Sequence, residues 1–251
     1  MINLVLSGGG IRGLAHLGVI KFLYEMGVEI NHISGTSSGA LIGAFMAGGY
    51  NPDEGLRIFV EEKMFRKVRV TMKPGLFKMD KMESFYLKYF PTNSFEALQK
   101  KLTVSATDIV HAQTIYFSEG ELIIPLLAAS SIPVIFKPVE YKNYKLLDGG
   151  LLNNLPVEPL LEDKLPIVGV HVNPVAEMRE FANTIKVMER SFNLAVYTNV
   201  RERIRLCDLI IEPPELRKFS VYQFSKAEEI FKVGYDYAKS IANKIEMLVT
   251  N

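Results

Sequence analysis

Gly35-Thr36-Ser37-Ser38-Gly39 stands where a short apolar strand at 31–34 must turn into a helix beginning near Ser38. A serine between two glycines at such a turn is a nucleophile-elbow pattern. The hydroxyl has to project from the edge of a sheet, and the turn that achieves this leaves no room for side chains beside it. The next residues, Ala40-Leu41-Ile42-Gly43-Ala44-Phe45-Met46-Ala47, are small and apolar on nearly every helical face. Such a helix is buried, not amphipathic. Its amino end would aim free N–H groups and the positive end of its dipole at the serine oxygen, favouring negative charge there. An ordinary glycine/serine turn capping a helix has the same composition, so the pattern needs support from the rest of the chain.

Upstream, Ile2-Asn3-Leu4-Val5-Leu6-Ser7 reads as a buried strand running into Gly8-Gly9-Gly10-Ile11-Arg12-Gly13. A helix follows, with Val19, Phe22, Leu23 and Met26 at helical spacing and Gly27 where a left-handed C-cap belongs. Strand, glycine turn and helix therefore occur twice in succession. Gly8, Gly10 and Gly13 also satisfy G-x-G-x-x-G, so a nucleotide-binding module using Gly8 to Gly13 is a competing reading. That reading expects an acid closing the second strand, whereas Glu29 precedes it.

Downstream, Asn51-Pro52-Asp53-Glu54 combines an N-cap, a proline at the first helical position and an acid at the third. The stretch 63–90 then interleaves Lys63, Arg66, Lys73, Lys78 and Lys88 with Met64, Phe65, Met72, Phe77 and Phe85, interrupted by Pro74-Gly75. It suits a flap meeting anionic headgroups and acyl chains, or equally a helical hairpin with its apolar residues in the core. Strands are expected at 102–108 and 114–117, a helix over Ile123–Ala129, and a short strand at 144–147 delivering Asp148-Gly149-Gly150. A strand buried on both faces follows at 166–172, then helix over 176–205 and a strand at 209–211. Ser225 and Glu228 form a capping box opening a closing helix with the stripe Ala227, Ile230, Phe231, Gly234, Ala238, Ile241, Ile245 and Leu248. This alternation predicts an α/β fold with a mainly parallel sheet between helices.

A chain of 251 residues, 48% hydrophobic with a net charge of +1, has the makings of one globular domain and no general affinity for nucleic acid. The single cysteine, Cys207, excludes an intramolecular disulfide and fits a cytoplasmic compartment. The amino terminus lacks the basic and long apolar regions of a signal peptide. No run approaches the roughly 18 apolar residues of a membrane span, so any membrane contact is expected to be peripheral.

If Ser37 is a nucleophile, a base must take its proton and donors must hold the developing oxyanion, the requirements of acyl transfer. Of His16, His32, His111 and His171, only His171 is placed near a strand end as a triad histidine would be, giving a Ser37, Asp148, His171 reading in α/β-hydrolase order. Against it, the elbow comes too early in the chain for that fold. The other candidate base is Asp148 itself, at a strand end followed by two glycines, where a turn-forming aspartate is the bland alternative.

Taken together, the glycine turn, G-x-S-x-G and Asp-Gly-Gly resemble the patatin-like phospholipase family in identity and order. Ala129-Ser130-Ser131-Ile132-Pro133-Val134-Ile135-Phe136-Lys137-Pro138-Val139 and Asp148-Gly149-Gly150-Leu151-Leu152-Asn153-Asn154-Leu155-Pro156-Val157 extend the likeness. The resemblance implies a three-layer α/β/α sandwich and a serine/aspartate dyad without histidine. It also implies hydrolysis of lipid acyl esters, with no cofactor or metal. Position by position, Ser37 becomes the nucleophile and Asp148 the base. Gly9, Gly10 and Arg12 offer backbone N–H groups as the oxyanion hole, and Gly8, Gly13, Gly35, Gly39, Gly149 and Gly150 are the motif glycines.

Overall fold

The computed structural model describes residues 1–62, 80–133, 135–175, 177 and 183–250. Among the described residues eight strands form one mixed sheet. They are β1 (Ile2–Leu6), β2 (Ile30–Gly35), β3 (Lys101–Asp108), β4 (Gln113–Phe117), β5 (Val139–Tyr141), β6 (Tyr144–Asp148), β7 (Ile167–Val170) and β8 (Leu209–Ile211). The pairs β1/β2, β1/β7, β2/β3 and β7/β8 are parallel, while β4 and β6 each pair antiparallel with β3, and β5 with β6.

The described helices are α1 (Leu14–Glu25), α2 (Ser38–Ala47), α3 (Pro52–Glu61), α4 (Asp80–Tyr89), α5 (Ile123–Ala129), α6 (Thr184–Ile204), α7 (Ala227–Ser240) and α8 (Ala242–Thr250). Period-two alternation divides β1 between two cores, as a central strand covered on both faces requires. Ile2, Leu4 and Leu6 join the large core with residues of α1, α2, α5 and α7. Val5 joins a second core with Leu155, Val157, Leu160, Ile167 and Val200 of α6. The three-layer α/β/α arrangement follows.

The pairing around β3 positions the site. Along one edge of β3, Gly35 of β2 lies opposite Val104 and Asp148 of β6 lies opposite Ala106. The other edge is occupied by β4, from Phe117 opposite Val104 to Gln113 opposite Asp108. Since each strand residue has only two ladder edges, β2 and β6 must share one edge and meet end to end, carboxyl end to carboxyl end. Residues just past Gly35 and at Asp148 are thereby brought together.

Several expectations need correction. The capping box at Ser225 and Glu228 does not form. A 3-10 turn at Phe224–Lys226 takes those residues and α7 starts at Ala227 with Lys226 as its N-cap, without a side-chain cap. The closing helix is also broken at Ile241, where φ −112° and ψ 21° leave the helical region. The strand β5 was not expected from the sequence, and Lys142 at φ 52° turns it into β6. Of the candidate flap, 63–79 lies outside the described residues, but its carboxyl end is scaffold. Phe85, Tyr86 and Phe90 are buried, and Phe85, Tyr89 and Phe90 surround Phe45 with ring centroids 5.1 to 6.0 Å away. Asn51 does cap α3, accepting the Glu54 N–H at 2.8 Å.

Candidate active site

Ser37 follows β2 directly and takes φ 50° and ψ −126°, a conformation uncommon for any residue with a Cβ. The turn is held by the packing of its glycines. A Cβ on Gly35 would lie 2.6 Å from the Gly39 backbone, and one on Gly39 would lie 2.2 Å from the Leu6 carbonyl oxygen. The strained turn thus rests on β1 and on its own helix, which is buried along its entire length. Among the described residues the Ser38 N–H meets no acceptor, whereas those of Gly39 and Ala40 turn back to the Thr36 carbonyl oxygen.

Asp148 ends β6, its N–H bound to the Ser131 carbonyl oxygen at 2.9 Å. Gly149 lets the strand end abut the serine turn: a Cβ there would lie 2.4 Å from Thr36 Oγ1 and 2.5 Å from the Ser105 carbonyl oxygen. Asp148 is 7% exposed, and its carboxylate accepts the Gly150 N–H at 2.8 Å and interacts with the Ser37 side chain. Burial pushes its pKa up to about 6, with the Ser37 side chain and the Gly150 N–H opposing the rise. A carboxylate of that basicity beside a serine is matched to proton transfer near neutral pH.

The glycine turn closes over this pair from β1. A Cβ on Gly8 would lie 3.0 Å from Ser37 Cβ, and one on Gly13 would lie 2.5 Å from Ser38 Oγ. Three consecutive carbonyls of the loop are tied down. His16 Nε2 donates to the Ser7 oxygen at 2.8 Å, Asn173 Nδ2 to Gly8 at 2.5 Å, and the Arg12 N–H to Gly9 at 3.2 Å. Burial lowers the His16 pKa to about 4, so its imidazole is neutral and serves as a fixed donor. Arg12, expected as an oxyanion donor through its N–H, is corrected here: that N–H closes the 3-10 turn, and its guanidinium clamps the Phe219 carbonyl at 2.8 Å. Among the described residues the N–H groups of Gly9 and Gly10 meet no acceptor.

His171 does not join the serine. It is buried, and its Nδ1 donates to Glu212 Oε1 at 2.6 Å. His32 lies between Asp163 and Thr103, and His111 beside Asp108, so these two are structurally employed as well. Missing from the sequence reading is Asn173, which holds the glycine turn. An asparagine in an otherwise apolar run just past a strand was the available signal.

A model of the patatin-like phospholipase family matches residues 4–161. The chain belongs to the patatin-like phospholipase family. Lysophospholipase NTE1 of Lodderomyces elongisporus is 25% identical over 281 residues, covering 98% of this patatin-like chain and 19% of its own length. An uncharacterized NTE family protein of Mycobacterium tuberculosis is 28% identical over 263 residues, covering 93% and 45% respectively. The chain thus spans less than half the length of these relatives. Among solved structures, VipD from Legionella pneumophila shares the patatin-like fold at a TM-score of 0.56 and 16% identity, over 97% of this chain and 67% of that one. No helix among the described residues is long and apolar enough to cross a membrane.

Proposed function

We propose that the protein is a serine hydrolase of lipid acyl esters, of phospholipase A or lysophospholipase type, in which Ser37 attacks and Asp148 is the sole base. The observation that carries this reading is the placement of a serine at φ 50° beside a buried carboxylate of raised pKa. Asp148 takes the Ser37 proton as Oγ attacks the ester carbonyl, and returns it to the departing alkoxide. Water then repeats the sequence on the acyl-enzyme. The N–H groups of Gly9 and Gly10 receive the oxyanion, each such donor typically contributing about 3 kcal/mol to the transition state. The membership of the family and the name of the NTE1 relative support lysophospholipids as the first substrates to try. Purified protein should release fatty acid from a lysophospholipid or phospholipid panel and the Ser37→Ala variant should not. Equal release by both, or none by either, overturns the assignment.

Two further results are expected. Because the free enzyme needs Asp148 ionised, kcat/KM should rise as pH passes about 6 and level off above it. A profile flat from pH 5 to 8 contradicts Asp148 as base. Gly10→Ala places a Cβ 2.7 Å from the Val221 carbonyl oxygen at φ +57°. Its displaced N–H should lower kcat on the order of 100-fold with circular dichroism unchanged. A fully active Gly10→Ala enzyme removes this turn from the oxyanion hole.

A further inference from the structure

Strands β1 and β7 run parallel with Leu6 opposite Val170, so the glycine turn leaving one and residues 171–173 leaving the other emerge side by side. That short segment is pinned. The Val172 N–H donates to Ser7 Oγ at 3.1 Å and the His171 N–H to the Ile211 carbonyl oxygen at 3.0 Å. Asn173 is thereby laid against the turn: a Cβ on Gly9 would lie 3.2 Å from its Oδ1 and 3.3 Å from its Nδ2.

The two ends of this amide have different partners. Nδ2 donates to the Gly8 carbonyl oxygen at 2.5 Å, while Oδ1 accepts from Arg12 Nη1 at 3.5 Å. The opposite orientation would set oxygen against carbonyl oxygen and amide N–H against guanidinium. Arg12, itself held by the Phe219 carbonyl, therefore keeps the donor turned towards Gly8. The Gly8 oxygen and the Gly9 N–H belong to one trans peptide, in whose plane they point in opposite directions. Fixing the carbonyl thus fixes the direction of the N–H, and the hydrogen bond on the oxygen polarises the peptide so that the N–H donates more strongly. Among the described residues that N–H meets no acceptor, so no bond of its own sets its direction.

We propose that Asn173 is a positioning residue of the oxyanion hole: by holding the Gly8 carbonyl it aims and polarises the Gly9 N–H, with Arg12 orienting the Asn173 amide in turn. This rests on Ser37 as the nucleophile and on the Gly9 N–H as an oxyanion donor. Asn173 acts through that peptide and not on the substrate, so its effect belongs to the transition state.

The test compares the wild type with Asn173→Asp, which keeps the shape but sets an acceptor against the Gly8 carbonyl, and Asn173→Leu, which removes both polar atoms. Each is measured for steady-state hydrolysis of a soluble aryl ester, for thermal unfolding, and for inhibition by a trifluoromethyl ketone, to whose carbonyl carbon Ser37 Oγ adds to leave a bound alkoxide. In both variants kcat should fall on the order of 30-fold with KM changed less than about threefold, and the ketone's inhibition constant should rise by the factor by which kcat/KM falls. A folded Asn173→Asp protein with wild-type kcat overturns the proposal. So does a loss of kcat that leaves ketone affinity at the wild-type value. Loss of the fold in both variants overturns it too, since Asn173 would then be an anchor of the scaffold. Wild type that binds no ketone and takes no fluorophosphonate at Ser37 refutes the nucleophile, whereas normal labelling with unaffected variants refutes Asn173 alone.

Discussion

Ser37→Ala and Asp148→Asn should each lower lipid-ester hydrolysis by at least about ten-thousand-fold, and the double variant should be no worse than either alone. Nucleophile and base act as one unit, so their losses are not additive. The two variants should differ in stability. The folded pKa of Asp148 is raised from the ordinary 3.8 to about 6, so the folded protein holds this proton more tightly than the unfolded chain. Stability associated with the protonated form is present below about pH 4 and is lost as pH rises through about 6. At pH 7 the buried charge costs on the order of 2–3 kcal/mol, which an asparagine does not incur while still accepting the Gly150 N–H. Asp148→Asn should therefore unfold several degrees above the wild type at pH 7, the gap narrowing towards pH 5. Calorimetry across that range checks this. An Asp148→Asn protein less stable than wild type at pH 7 would show that the carboxylate is a structural anchor.

The largest loss of stability should come from a site distant from the serine. Helices α1 and α7 approach so closely that a Cβ on Gly18 would lie 2.0 Å from the Phe231 carbonyl oxygen, and one on Gly234 would lie 2.1 Å from that of Ala15. Each glycine thus faces the other helix's backbone, and neither obstacle is a movable side-chain end. Alanine usually gains about 1 kcal/mol over glycine inside a helix. Here overpacking against backbone should outweigh that gain, for a net loss of about 2 kcal/mol in each single variant and more in the double. Since α1 follows the glycine turn directly, the double variant should lose activity too. Urea unfolding midpoints decide the matter. An unchanged midpoint in Gly18→Ala would mean that the helices slide apart at no cost.

The parts of the site built from local backbone geometry were legible in the sequence. Gly35, Gly39 and Gly149 sit where a Cβ would strike backbone within 3 Å, so the turn chemistry demands them and the motifs expose it. Gly27 at φ +73° likewise ends α1 where the periodicity stops. What the sequence did not reveal depends on pairing between distant segments. The end-to-end meeting of β2 and β6 on β3 follows from an antiparallel ladder formed across some forty residues, with no local signal. The Arg12 N–H was expected at the oxyanion from the family resemblance, and only the formed 3-10 turn shows it spent on Gly9. Ser225 and Glu228 satisfy the capping-box spacing, yet the preceding residues wind into a tighter turn first. Asn173 acts through the Gly8 carbonyl, 165 residues away, so spacing alone could not assign it.

The central claim is that Ser37 is activated by Asp148 without a histidine, and covalent labelling tests it most directly. Purified wild type, Asp148→Asn and His171→Ala proteins would be treated with a fluorophosphonate, and the adduct followed by intact mass and located by peptide sequencing. One adduct is expected on Ser37 in the wild type, formed at a similar rate in folded His171→Ala and suppressed in Asp148→Asn. An adduct on another residue, or labelling of Ser37 that requires His171 and survives Asp148→Asn, would contradict the claim.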